Sequence, residues 1–232
     1  MSVTRRALLQ GLLGVSLPCA VYAGGAVDRV EIASVENWVR HDLGTRGIPH
    51  GWRAYETIGG RPVYDFSVVE DGGHRGLHLR SRGDHSTIAR RLRISLKATP
   101  LLEWSWKVLQ FPSGADVRRK ETSDLTGHVF VVWPRQPAML RSRLIGYVWD
   151  ERIEADAVEP SRKTGTVTFV VVRSGTAEAA TWITERRNVA EDYRRIYGEE
   201  PDDAGAVALS IDTNDTRSSA EAIFGAIAFR NV

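Results

Sequence analysis

Apolar and polar residues alternate through much of this chain. In Leu102-Glu103-Trp104-Ser105-Trp106-Lys107-Val108, the four apolar side chains fall on one side and Glu103, Ser105 and Lys107 on the other. A period of two marks an extended strand with one buried and one wet face. Strands are predicted at Val63–Val69, Gly76–Ser81, Ile88–Ile94, Leu101–Val108, Gly127–Trp133, Leu144–Trp149, Thr166–Val172, Ala180–Thr184, Val207–Ile211 and Ala222–Phe229. Gly59-Gly60, Asp71-Gly72-Gly73, Ser113-Gly114, Ser174-Gly175 and Asp212-Thr213-Asn214-Asp215 stand between them as turn signals. Many short strands at this spacing predict an all-β antiparallel sandwich or barrel. Thr166–Val172 begins in alternation and ends as a continuous apolar run, which marks a central strand.

Two short helices interrupt the pattern. Val35–Asp42 is predicted to end at Gly44. Val189–Tyr197 has Asn188 as its N-cap, Glu191 in a capping-box-like position and Gly198 as its stop.

The first residues follow another rule. Thr4-Arg5-Arg6-Ala7 leads into an apolar run from Ala7 to Leu17 and the small-residue ending Val21-Tyr22-Ala23 before Gly24. This reads as a twin-arginine export signal. The run falls short of the ~20 residues that span a bilayer. The expected organisation is a signal peptide at 1–23 and a single β-sandwich domain at 24–232. Twin-arginine export carries folded proteins. The expected location is therefore periplasmic or extracellular, with the Tat translocon as partner during export and no transmembrane segment after cleavage.

Cleavage removes Arg5 and Arg6 and no acidic residue, leaving 29 basic against 29 acidic side chains. A neutral balance argues against nucleic acid as a partner, which calls for a basic stripe. The single cysteine, Cys19, lies within the signal, so the mature chain has no disulfide and no thiol nucleophile. Its stability must come from its core, and the roughly 209 remaining residues suffice for one.

Five stretches carry a resemblance. Thr99-Pro100-Leu101-Leu102-Glu103-Trp104-Ser105-Trp106-Lys107-Val108 is similar to the Pro-x-Leu-x-Trp-x-Trp signature of the bacterial domain-of-unknown-function 3047 family. Gly114-Ala115-Asp116 with Lys120 and Asp124, and Gly146-Tyr147-Val148-Trp149, follow in the family's order. So do Trp182 to Val189 with Asp192-Tyr193 and Tyr197-Gly198, and Asp212 to Thr216 leading to Phe224–Phe229. Three polar positions depart from the pattern. Ser123-Asp124 replaces an acidic pair, Asn214-Asp215 reverses the usual order, and Ala226 stands where the family has Asp. The ending is similar to that of jelly-roll carbohydrate-binding modules. The resemblance thus implies an antiparallel β-sandwich of jelly-roll, galactose-binding-like type, with one or two short helices.

The candidate chemistry sits in loops and at strand ends. Asp212, Asn214 and Asp215 crowd oxygen atoms onto one turn. They suit either a structural calcium ion or an Asx turn bonded to its own backbone. Asp116, Lys120 and Asp124 share a polar loop. Two carboxylates roughly 5–10 Å apart can serve a glycosidic bond as acid and base, making Asp116 and Asp124 the catalytic candidates; surface ion pairs give the same composition. Glu185 and Arg187 lie at a strand-to-helix junction, where Arg187 suits either a ligand clamp or a buried ion pair. Trp133 and Trp149 end predicted strands and are rim candidates, whereas Trp104 and Trp106 belong to a core face. The histidines show no zinc spacing.

The ligand-binding candidates are therefore Asp116, Lys120, Asp124, Trp149, Glu185 and Arg187. The expected function is non-catalytic binding of a carbohydrate ligand from the cell envelope. The alternative is a glycan hydrolase or lyase using the loop carboxylates.

Overall fold

The computed structural model describes residues 33–36, 38–55 and 62–231. The predicted export signal at 1–23 lies outside them. The chain is a β-sandwich of jelly-roll type. One sheet joins β1 (Ala33–Ser34), β3 (Asp65–Asp71), β4 (His74–Arg82), β6 (Leu101–Gln110), β11 (Ile183–Asn188) and β13 (Ser219–Arg230). Its order is β11-β6-β13-β4-β3, with β1 also paired to β13. The second sheet joins β2 (Arg53–Ala54), β5 (His85–Ile94), β7 (Leu125–Trp133), β8 (Arg143–Asp150), β9 (Val158–Pro160), β10 (Val167–Ser174) and β12 (Ala204–Asp212). Its order is β2-β5-β12-β7-β8-β10-β9. The pairing is antiparallel except between β8 and β10, which run parallel.

Alternation places the core between the sheets. Leu102, Trp104, Trp106 and Val108 of β6 are all fully buried. Trp104 packs on Tyr147 and Trp106 on Trp149 of the facing sheet, with ring centroids 5.5 and 5.8 Å apart. Burying each such ring stabilises the fold by roughly 1.5–3 kcal/mol. Trp149 is only 1% exposed and donates from Nε1 to the Gly175 carbonyl at 2.7 Å. Trp133 is equally enclosed. Neither indole forms a rim; both end strands whose inward faces continue the core.

Helix α2 (Val189–Tyr197) forms where its caps predict. Asn188 Oδ1 accepts from the Glu191 amide, and Gly198 closes the helix at φ 71°, a left-handed conformation that glycine adopts without strain. The earlier helix shrinks to a 3₁₀ turn at Trp38–Arg40. The Val35 amide is held by the Ile227 carbonyl and the Gly44 amide by Val68, each at 2.8 Å. A segment tied to β13 at one end and β3 at the other has room for one turn. Strand β11 also starts later than predicted, because Ala180 adopts a positive φ of 59°. It then runs through Glu185-Arg186-Arg187, an edge position where charge is tolerated.

Candidate functional site

The outer face of the seven-stranded sheet is built in rows. Pairing register aligns Ala89, Ala208, Phe130, Gly146 and Phe169 across five neighbouring strands. The adjoining row holds Thr87, Ser210 and His128, and the next His85, Asp212 and Leu125. An apolar, aromatic band therefore abuts a band of hydroxyl, imidazole and carboxyl groups. Gly146 makes the centre of the apolar band possible. A Cβ there would lie 2.7 Å from Phe130 and 2.9 Å from Phe169, so only glycine lets both rings meet over the strand.

Above these rows lies a cleft of about 470 Å³. Its walls include Tyr55, Ala138, Ser142, Thr164 and Asn214. Helix α1 (Ala138–Arg141) and the β9–β10 connection supply one side, and the turn after β12 supplies another. The polar groups are held in set states. Thr87 Oγ1 and Ser210 Oγ share a hydrogen bond at 2.6 Å. Burial pushes the His128 imidazole down to about 4, so it is neutral at pH 7. Its Nδ1 lies 2.8 Å from the Thr126 carbonyl. A neutral ring bonded to a carbonyl there carries its proton on Nδ1 and offers Nε2 as an acceptor. Burial, aided by the charges of Asp124 and Asp215, pushes the Asp212 carboxyl up to about 7 against the pull of Lys163.

The turn that bears Asp212 and Asn214 is anchored from below. Asp124 is 1% exposed. Its carboxylate accepts from the Asp215 amide at 3.1 Å, the Thr216 amide at 2.7 Å and the Thr216 hydroxyl at 2.5 Å. Its lone pairs are spent on shaping the turn. The oxygen-rich turn does not fit calcium. Lys163 Nζ pairs with Asp215 and stands 3.9 Å from Asp212, so an ammonium already fills the cationic position. Among the described residues, no group of three or more acidic, histidine or cysteine side chains is placed to hold a metal ion.

The other sequence candidates do not converge on the cleft. Asp116 is forked by Arg118 at 2.8 and 2.9 Å, which holds its carboxyl below the usual carboxylate range. Lys120 sits exposed in the 3₁₀ turn Lys120–Thr122. Glu185 and Arg187 stitch the open edge of the sandwich. Glu185 binds Arg173 of the opposite sheet at 2.8 Å. Arg187 forks Asp192 of α2 at 3.1 and 2.7 Å and reaches Asp156 at 2.6 Å. None of Asp116, Lys120, Asp124, Trp149, Glu185 or Arg187 lines the cleft. Of the seven tryptophans six are buried; the half-buried Trp182 packs beside His74 and bonds Asp71, away from the cleft.

Sequence reasoning missed His85, Thr87, His128, Lys163 and Ser210. A partial signal existed: polar Ser210 and Asp212 alternate with inward apolar Ile211, whereas Ser86 between His85 and Thr87 blurs the pattern in β5. Only the register shows that these outward positions lie side by side.

Residues 50–228 match the model of the family described as a protein of unknown function, DUF3047. The chain belongs to this family. Gly146 and Asp124, both within the family's motifs, thus have structural duties beneath the cleft. No curated protein matches the chain. Among solved structures, it is similar to the xyloglucanase domain of NopAA, a type three effector from Sinorhizobium fredii, seen with cellobiose. That likeness has 9% identity and a TM-score of 0.44, covering 82% of this chain and 99% of that one. It is also similar to a family 11 carbohydrate-binding module of a cellulosomal cellulase from Clostridium thermocellum. There the identity is 9% and the TM-score 0.45, with 88% and 95% covered. These are likenesses of fold. Among the described residues, no helix is long and apolar enough to cross a membrane.

Proposed function

We propose that the protein is an exported, non-catalytic binder of a neutral glycan, and that the sugar lies in the cleft of the seven-stranded sheet. One observation carries this reading: an apolar aromatic band adjoins a band of fixed hydroxyl and imidazole groups on one covered floor. A sugar ring has the matching duality, with apolar C–H faces and hydroxyl edges. A cleft of about 470 Å³ falls in the range of small-ligand sites. The balance of 29 basic and 29 acidic side chains after residue 23 favours an uncharged ligand over nucleic acid.

The experiment is calorimetric titration of the mature chain with neutral oligosaccharides. Binding is expected, and Tyr55→Ala, which trims a cleft wall, is expected to weaken it about tenfold. Uniformly flat traces at millimolar sugar overturn the reading. Export by the twin-arginine route, with work in the periplasm or outside the cell, is part of the same proposal. Its support is the Arg5-Arg6 pair and the apolar run behind it. Cell fractionation tests it: Arg5→Lys with Arg6→Lys should retain the protein in the cytoplasm.

The catalytic alternative has narrower support. Asp212 holds its proton up to about pH 7, as a general acid must. Paired carboxyls are the usual requirement, and among the described residues lining the cleft Asp212 is the only one. Glycan turnover abolished in a folded Asp212→Asn variant would establish this second reading.

A further inference from the structure

The floor of the cleft is buried although, among the described residues, neither a sheet nor a long helix packs on it. Thr87, His128, Ser210, Phe130 and Phe169 are each less than 10% exposed. The loops beside them supply the cover. The six residues 161–166 connect β9 to β10 at one edge of the sheet. Yet Lys163 within them pairs with Asp215 and approaches Asp212, which belong to β12 and the turn after it. Two strands, β7 and β8, lie between β12 and β10. The connection can reach Asp215 only by passing over the outer face, and Lys163 lines the same cleft as Phe130 and His128.

We propose that residues 161–166 form a strap latched by Lys163 onto Asp212 and Asp215, which restricts the cleft to short oligosaccharides and the ends of chains. A covered trough admits a chain end-first. The interior of a polymer cannot be laid into it from above while the strap is latched. The restriction to sugars rests on the glycan reading; the strap itself does not. The latch is a single ammonium paired with Asp215 beside the Asp212 carboxyl, with the Lys163 side chain one-third exposed. An ion pair of that exposure is weak enough to open on the timescale of binding.

A ligand-free measurement tests the strap. The mature chain contains no cysteine, so Ser210→Cys places one thiol on the floor. Its reaction is followed with N-ethylmaleimide and with maleimide-bearing dextran. With the strap intact, the polymeric reagent is expected to lag the small one by more than about tenfold, and adding Lys163→Ala should close most of that gap. An unchanged ratio in the Lys163→Ala background overturns the strap. Thr87→Cys repeats the measurement if Ser210→Cys does not fold. A second arm compares soluble xylohexaose and cellohexaose with the corresponding long polymers. The hexasaccharides should bind the native chain, and Lys163→Ala should gain affinity for polymer. Polymer binding equal to hexasaccharide binding without the substitution overturns the chain-end restriction. Absence of all sugar binding alongside a strap-dependent thiol ratio would reject the glycan and leave the strap standing.

Discussion

The two sheets turn opposite characters outward. Outside the six-stranded sheet, Arg80 pairs with Asp65, Lys107 with Asp71, His78 with Glu221 and Arg230 with Glu103, at 2.8–3.1 Å. Such a face needs no cover, because water and neighbouring charges satisfy it. Outside the seven-stranded sheet, Ala89, Ala208, Phe130 and Phe169 form an apolar band that water would not tolerate. Loops cover it, and the space left beneath them is the cleft. The comparison teaches where a sandwich keeps a binding site: on the face whose side chains are too apolar to stand in water and too small to fill what lies above them.

Substitutions should sort by face. Phe130→Ala empties a buried position on the cleft floor. It should cost about 3–5 kcal/mol by chemical denaturation. A loss below 1 kcal/mol would mean that the band is wet and the contrast with the charged face is false.

The two titrating groups of the cleft, buried His128 and partly buried Asp212, should be visible next. His128 is neutral in the fold down to about pH 4 but protonates near 6.5 when unfolded. Its contribution is present above pH 6.5 and lost as the pH falls toward 4. Asp212 runs the other way: protonated in the fold up to about 7 and ionised above 3.8 when unfolded, it lends stability that is lost as the pH rises toward 7. Between pH 4 and 6.5 the two slopes oppose. His128→Asn should unmask the second, so that stability declines from pH 4.5 to 7 by on the order of 3 kcal/mol. Asp212→Asn should unmask the first, with stability declining as the pH falls over the same window. Parallel pH profiles for the two variants would contradict the assigned environments.

Gly146→Ala tests the floor more finely. Its new methyl must push apart Phe130 and Phe169, for an expected loss of about 1–3 kcal/mol. Arg230→Ala, which breaks a half-buried pair at the water-facing side of the charged sheet, should change stability by no more than about 1 kcal/mol. A larger effect there would erase the distinction between the faces.

The core was legible because its signal is local. Leu102 to Val108 announce their inward face in seven residues, and Asn188 and Gly198 mark both ends of α2. The cleft was not, because its parts meet only through register. Phe130 and Phe169 are 39 positions apart and touch solely because Gly146 runs between them. Lys163 and Asp215 meet by a path over the sheet that no spacing encodes. Asp124 and Asn214 were noticed for their oxygen atoms. Which of them shapes the turn and which faces the cleft is decided by burial, and a motif does not display burial. Glu185 and Arg187 showed their charge but not their partners, Arg173 on the opposite sheet for the first and Asp192 of α2 with Asp156 for the second.

The parallel step between β8 and β10 has an architectural effect of its own. Two strands of the same polarity begin at the same end of the sheet, so the segments preceding them must emerge there together. The segment ahead of β8 carries α1, and that ahead of β10 carries Lys163. Had β10 run the other way, these two flaps would stand at opposite ends and the floor would lie open to solvent. The direction of a single strand thus decides whether this face is a plain surface or an enclosed one.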